Sequence, residues 1–532
     1  MGGEPNGRGA AIATGVALLV IAAASLWLRW PGVTQGGFGS HDVAGILHEA
    51  MVLHDGELPY VATIEMKAPG TFWLAKWLAG PDGTDIARFQ QWAAVFAVGS
   101  LLIVGGTAWR VFGGGAAIGA AVLYGLHDLH LDSIDANYVT WAQTPMVAAA
   151  GLAMTAPTLK RPRATTLAWL GAGVLCGLTA LCKRQPGVVV AIVLLAAWVG
   201  PAPAHSDAET GRPARVRATV AIAVGLVLSH VPIAVVYAQA GALDSLIGGY
   251  GLSQWGMAYV GQGGQSSGLA GAREGVLASV HFLALPLALS VFSVVAPTRA
   301  AERPYARCLW IWAVLALTAA WVGFRFYKGY FLAVLPPLCI LGAAPWGLLG
   351  RRGALRRWWL RGLLLAPLLV LVGRQAMNLD QLRRNRARPS DAGGRKIAAH
   401  IGPRTQPGDR IWVWGWHLWD VYAFTGRRSA SRVYKSIGLL TPPNDDTWRV
   451  RGTKAVFADG PPARILMEDL RAAPPAWIVF GSVVPHRQFT ELRGFLREHY
   501  HRDRRVRIGR VQFWHRKDRA EAERRAATPT RG

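Results

Sequence analysis

The 532-residue chain is poor in charge, and above all in acid. Charged residues make up 17% of it, where a soluble domain averages about 25%, and 31 Asp and Glu stand against 57 Lys and Arg. Cysteine is equally scarce. Cys176, Cys182, Cys308 and Cys339 all lie in apolar runs without a C-x-x-C spacing, which excludes a disulfide framework and a thiolate metal or redox site. They read as small buried hydrophobes. No internal repeat of fixed period occurs, which argues against a solenoid.

What is abundant is apolar and aromatic. The chain holds 23 Trp and 62 Gly, and its mean hydropathy is +0.24. A net charge of +26 would by itself point to nucleic acid. A chain this apolar and this long has the character of a polytopic membrane protein instead, and no nucleic acid is expected as a partner.

A bilayer core about 30 Å thick requires about 20 apolar helical residues. Eleven candidate spans follow, at 10–28, 89–109, 116–126, 138–156, 167–182, 187–200, 216–238, 275–296, 308–324, 331–349 and 358–377. The connections alternate in charge. Arg110, the Lys160/Arg161/Arg163 cluster, Arg212/Arg215/Arg217, Arg299/Arg303/Arg307 and Arg351/Arg352/Arg356/Arg357 fall on one side, which the positive-inside rule makes cytoplasmic. The N-terminus is then cytoplasmic, and the stretch after Arg374 lies outside. The first span has no small-x-small cleavage pattern after it and reads as an uncleaved anchor.

From Arg374 onward the character changes: this stretch carries 32 of the 57 basic and 15 of the 31 acidic residues. Short β-type runs, Arg410-Ile-Trp-Val-Trp-Gly415 and Ala476-Trp-Ile-Val-Phe-Gly481, alternate there with helical stretches. The expected fold class is thus an all-α polytopic membrane protein of about 11 transmembrane helices with a C-terminal α/β extracytoplasmic domain. The divisions are 1–377 for the membrane domain, with a first outer loop over 29–88, then 378–517 for the outer domain and 518–532 for a disordered tail. Basic charge on that outer domain suits anionic headgroups or acidic glycans.

Candidate chemistry lies in the outward loops. Val43, Ile46, Leu47, Ala50 and Leu53 follow helical spacing, while His41, His48 and Glu49 lie elsewhere on the wheel. The pattern predicts an amphipathic helix at the membrane surface with Asp42 at its N-terminus. Gly56-Glu57-Leu58-Pro59-Tyr60 and Glu65-Met66-Lys67-Ala68-Pro69-Gly70 follow, and then an apolar patch over 71–78 that is too short to span.

This order of elements resembles the first outer loop of the C-type glycosyltransferases, among them aminoarabinose transferases, protein O-mannosyltransferases and rhizobial lipopolysaccharide sugar transferases. The likeness continues through Gly177-Leu178 to Lys183-Arg184-Gln185-Pro186-Gly187, through Phe324-Arg325-Phe326-Tyr327-Lys328-Gly329-Tyr330-Phe331 with Leu335-Pro336-Pro337, and through 408–415 and 422–432. Each motif alone is degenerate, and their succession carries the resemblance. It implies transfer of a sugar from a polyprenyl-phosphate carrier to a lipid, polysaccharide or protein acceptor, without a nucleotide sugar. Many members carry an acid shortly after an Asn in the second outer loop. Here that position reads Asn137-Tyr138-Val139-Thr140, and Asp132 and Asp135 are the candidates for a second acid.

A polyprenyl phosphate leaves without needing a proton, so such a site requires a base for the acceptor hydroxyl and cations for the departing phosphate. Asp42 suits the first role. Lys67, Lys183, Arg184, Arg325 and Lys328 suit the second. Tyr60, Pro69, Tyr327 and Tyr330 would shape the loops or touch substrate, and 253–274 would serve as a lid or a plain connector. Each has an ordinary structural alternative: Asp42 as a helix cap, the Lys and Arg residues as snorkelling anchors, the Tyr residues as an aromatic belt. His41, His48, His54, His127 and His130, with Asp42, Glu49, Asp55, Asp128 and Asp132, match no defined metal motif, so no metal and no cofactor are expected. Two other classes compete: a transporter of lipid-linked glycans and a non-catalytic glycan-binding membrane protein. The clustering of acids in outward loops favours the enzyme.

Overall fold

The computed structural model describes residues 7–34, 37, 41–200, 211–250, 269–295, 302–322, 325–351, scattered positions between 369 and 384, 391–415, 418–436, 438–441, 456–481 and 484–521. Most of the span expected at 358–377, most of the connector 253–274 and the tail beyond 521 lie outside the described residues. Two compact units divide the chain, and neither is continuous in sequence. The first contains 1–35, 90–236 and 266–388; the second contains 36–89, 237–265 and 389–532.

The first unit is helical. It is built from α1 (Gly7–Thr34), most of α4 (Ile86–Phe112), α5 (Gly114–His127), α6 (Tyr138–Thr155), α7 (Pro162–Cys182), α8 (Val189–Val199), most of α9 (Gly211–Gln239), α11 (Leu269–Val295), α12 (Arg303–Trp321) and α13 (Leu335–Arg351). Among the described residues, five helices are long and apolar enough to cross a membrane: α1, α4, α7, α9 and α11. Others are shorter, as with α5 at 14 residues and α8 at 11.

Apolar helices gain little from the hydrophobic effect where lipid is the solvent, so close approach and internal hydrogen bonds must hold them. Both devices are present. Ser100 and Thr144 hydroxyls meet at 2.8 Å between α4 and α6, and Gln143 Nε2 donates to the Leu332 carbonyl at 3.1 Å. At the α7/α9 crossing, Gly173 and Gly177 face Ile222 and Ser229, and a Cβ at either glycine would overlap those residues. Gly113, at φ 96°, supplies the left-handed turn from α4 into α5.

The second unit centres on a four-stranded mixed sheet of order β1-β2-β4-β3. β1 (Ile411–Trp414) and β2 (Trp477–Phe480) run parallel, with Trp412 opposite Ile478. β4 (Gln512–Arg516) is antiparallel to both β2 and β3 (Tyr500–Asp503). β1 and β2 are buried at every position, as their unbroken Ile-Trp-Val-Trp and Trp-Ile-Val-Phe runs require. β4 lies between β2 and β3 and alternates buried and half-buried residues, as a strand with one covered face does. Helices α14 (Ala392–Ile401), α15 (Asp420–Thr425), α16 (Pro461–Ala472) and α17 (Thr490–His499) accompany the sheet. Its core includes Trp412, Trp414, Leu466, Leu470, Phe480, Leu492 and Leu496.

The same unit holds 36–89, with α2 (His41–His54) and α3 (Gly70–Leu78), followed later by α10 (Leu243–Tyr250). Both loop helices form where periodicity and the apolar patch place them. The environment of α2 differs from the expectation of a surface amphipathic helix. Residues Val43 to Leu53 are all buried, His48 and Glu49 included. The physical reason is that its polar flank is matched by polar partners from 429–435 rather than by water.

Gly173→Ala tests the α7/α9 crossing. Alanine propensity alone would add about 1 kcal/mol of stability to a helix, but the new Cβ meets the Ile222 carbonyl, and forced overpacking costs about 1–3 kcal/mol. The thermal midpoint of the detergent-solubilised protein should therefore fall; a rise would show that the helices can part without cost.

Candidate active site

In the second unit, Asp42 is the second residue of α2 and lies in its first turn, where a carboxylate is favoured by the helix dipole. Lys67 Nζ stands 3.9 Å from an Asp42 oxygen, and the two side chains keep 37% and 36% of their exposure. Both are therefore within reach of a substrate. Burial pushes the neighbouring His41 down to about 4 against the pull of Asp42, so His41 is neutral near pH 7 and Lys67 supplies the positive charge beside Asp42.

The loop that carries Lys67 is fixed from both ends. Tyr60, itself at φ 64°, donates its hydroxyl to the Lys67 carbonyl at 2.5 Å. Glu65 Oε1 accepts from the main-chain N–H groups of Met66 (2.8 Å) and Lys67 (3.1 Å). Glu65 Oε2 accepts from the Tyr434 hydroxyl at 2.5 Å and from the Lys435 ammonium. Pro69 then leads into α3, its carbonyl accepting from Phe72 N at 3.0 Å.

Two carboxylates stand close together under this loop, and their environments drive them apart. Burial pushes Glu49 up to about 8, the Glu65 charge adds to that, and a 2.8 Å bond from Thr63 opposes it. Burial acts on Glu65 in the same sense, but the Lys435 charge and the bonds from Lys435, Tyr434 and Met66 hold it below the usual carboxylate range. Glu49 is thus the protonated partner and Glu65 the charged one. His48, stacked on Tyr434 at 4.2 Å, accepts from Ser429 N at 3.1 Å. Burial and the nearby Arg428 and Lys435 keep it neutral.

Nearby, Arg428 binds Asp55 at 2.6 Å and Glu57 at 2.6 and 3.0 Å, and Arg410 reaches Glu57 at 3.0 Å. Glu49, Glu65, Tyr434, Lys435 and Arg428 were not singled out as site residues from the sequence. One signal was available: the first loop is acid-rich at 55, 57 and 65, while 427–435 is basic.

The first unit holds the remaining candidates. Lys183, the residue after α7, lies over the Tyr330 ring at 4.7 Å, and Tyr327 packs edge-on to Tyr330 at 5.6 Å. Arg184 follows it at the start of the short turn Gln185–Val188, where Gln185 Nε2 donates to the Ala319 carbonyl at 2.7 Å. Lys328 forms a 2.7 Å ion pair with Asp132, which takes a left-handed conformation at φ 67°. Arg325 and Asp135 are both buried. A further buried pair, Arg29 with Asp128 at 2.5 Å and Ser133 at 3.1 Å, was not anticipated. Among the described residues, no group of three or more His, Cys, Asp and Glu is placed to hold a metal ion.

No family model matches the chain, and no curated protein matches it. Its fold is shared with solved structures of ArnT and of an archaeal oligosaccharyltransferase. ArnT from Cupriavidus metallidurans, solved bound to undecaprenyl phosphate, aligns over 96% of this chain and 98% of its own, with a TM-score of 0.61 and 14% identity. The oligosaccharyltransferase of Archaeoglobus fulgidus in the apo form aligns over 88% of this chain and 69% of its own, with a TM-score of 0.55 and 14% identity. The archaeal oligosaccharyltransferase AglB from Archaeoglobus fulgidus, in complex with an inhibitory peptide and a dolichol-phosphate, gives a TM-score of 0.54 over the same shares, again at 14% identity. At these identities the likeness is one of fold.

The Glu49 environment makes stability depend on pH with a definite sign. Its carboxyl is raised from the ordinary 4.5 to about 8 in the folded chain. The folded state therefore holds more protons across that window, and its contribution is full below 4.5 and lost as pH rises through 8. The thermal midpoint should fall between pH 5 and pH 8 (about 3 pH units). In Glu49→Gln this part of the slope should vanish; an unchanged slope would place the titration elsewhere.

Proposed function

We propose that the chain is an integral-membrane glycosyltransferase that moves a sugar from a polyprenyl-phosphate carrier to a lipid, polysaccharide or protein acceptor. The strongest support is the near-complete alignment with ArnT, a structure solved with undecaprenyl phosphate bound. The accessible Asp42–Lys67 pair supports it independently. The proposed setting is the outer face of a bacterial inner membrane, with the N-terminus cytoplasmic and the region after 377 extracytoplasmic.

Asp42 takes the role of general base. It accepts the proton of the acceptor hydroxyl as that oxygen bonds to the anomeric carbon, while the bond from that carbon to the phosphate oxygen breaks and its electron pair leaves with the polyprenyl phosphate. Attack opposite the leaving group inverts the anomeric centre. The growing negative charge on the phosphate calls for fixed cations, and Lys67, Lys183, Arg184, Arg325 and Lys328 are assigned to it. Asp132 is the candidate second acid whose ion pair with Lys328 would loosen as phosphate arrives. Asp135 is the other. Glu49 and Glu65 are unsuited to act as the base: both are buried, where Asp42 keeps 36% of its exposure.

The test compares the masses of envelope lipids, polysaccharides and proteins between a strain lacking the gene and strains restored with wild-type or Asp42→Asn protein. Wild type should add one sugar to one class. Asp42→Asn should reduce that product at least about a hundredfold, the weight of a general base, and Lys67→Met should reduce it as well. Full product from Asp42→Asn would remove the assignment of the base. A glycan phenotype without any transfer would favour a transporter.

A further inference from the structure

Lys435 and Tyr434 lie some 370 residues beyond Glu65 in sequence and meet it in the second unit. Lys435 is nearly buried, and its ammonium is committed to the Glu65 carboxylate. Its path is also fixed. Lys435 Cε and Nζ pass so close to Gly45 that a Cβ there would meet them at 2.7 and 2.8 Å. Gly45 sits one turn along α2 from Asp42, so the lysine stem lies against the helix that carries the base and ends on the carboxylate that carries the Lys67 loop.

Glu65 transmits the contact. One of its oxygens is taken by Tyr434 and Lys435, and the other by the N–H groups of Met66 and Lys67. A carboxylate with both oxygens filled cannot rotate without losing a charge-assisted bond. The main chain at Lys67 is therefore held by a side chain that Lys435 holds in turn. Tyr60 closes the arrangement from the other side through the Lys67 carbonyl.

We propose that Lys435 and Tyr434 are positioning residues that act through Glu65 to set Lys67 beside Asp42 for the donor phosphate. The inference rests on the glycosyltransferase reading and goes beyond it by giving the C-terminal region a defined part in donor binding. Removing the Lys435 ammonium leaves Glu65 buried with a charge to neutralise. It then takes up a proton or turns away, and the Met66–Lys67 peptide loses its anchor.

The test measures binding of undecaprenyl phosphate to the purified full-length protein in detergent. Lys67→Met should weaken binding about tenfold, the weight of one charge-assisted contact. Lys435→Met should weaken it to a similar extent, and Tyr434→Phe about threefold. Neither should weaken binding further in a Lys67→Met background, because both act through that lysine. Lys435→Arg, which keeps the charge, should recover most of the affinity. Tyr434→Phe removes only a hydroxyl and carries the test if Lys435→Met does not fold. Binding unchanged in Lys435→Met and Tyr434→Phe, or losses that add in full to that of Lys67→Met, would overturn the positioning role. Unchanged binding in Lys67→Met would instead overturn the phosphate assignment on which it rests.

Discussion

A carboxylate taken out of water must be surrounded by donors, because an unmatched buried charge costs several kcal/mol. Glu65 is such a group, and the donors that surround it come from two distant stretches of chain. Satisfying it joins the Glu65 loop to the 434–435 segment. The Arg428 pairs with Asp55 and Glu57 do the same one step along. The backbone bond from Ile64 N to the Arg432 carbonyl, at 2.8 Å, runs between them. The loop bearing Asp42 and Lys67 is therefore a built part of the sheet-containing unit.

That arrangement separates two tasks that carboxylates perform in the same few residues. Glu49 and Glu65 are buried and serve the scaffold, one neutral and one charged, so that only a single negative charge has to be compensated. Asp42 remains partly exposed and faces a lysine. Like charges placed close together commonly resolve in this way, with one site giving up its charge. The consequence is an accessible carboxylate held on a helix whose inner side is rigid. Preorganisation of this kind is what the proposed role of Asp42 calls for.

The helical unit relies on a different balance. Its helices are apolar on most faces, so ordering comes from small residues that let backbones approach, and from buried polar groups that find partners across helices. Gly173 and Gly177 do the first, and Gln143, Gln185 and Arg29 do the second. The Arg29–Asp128 pair was invisible from spacing because 99 residues separate its members. The Lys328–Asp132 pair is equally hidden, since sequence pattern marks each residue for a separate role.

Local order determined a good deal. Apolar runs located helices α1, α4, α7, α9 and α11, helical spacing located α2, and the short patch after Pro69 located α3, because hydrophobic periodicity is a property of neighbouring residues. The unbroken apolar runs at 411–414 and 477–480 likewise marked the parallel strand pair β1 and β2. Spacing could not decide which side of α2 meets protein and which meets water. His48 and Glu49 looked like a solvated flank and are buried, because Tyr434, Ser429 and Thr63 offer them partners. Whether a polar residue faces solvent depends on what the tertiary structure brings against it. Burying a polar group is tolerable only beside a matching donor or acceptor, and for one oxygen of Glu65 those partners lie 369 and 370 positions away.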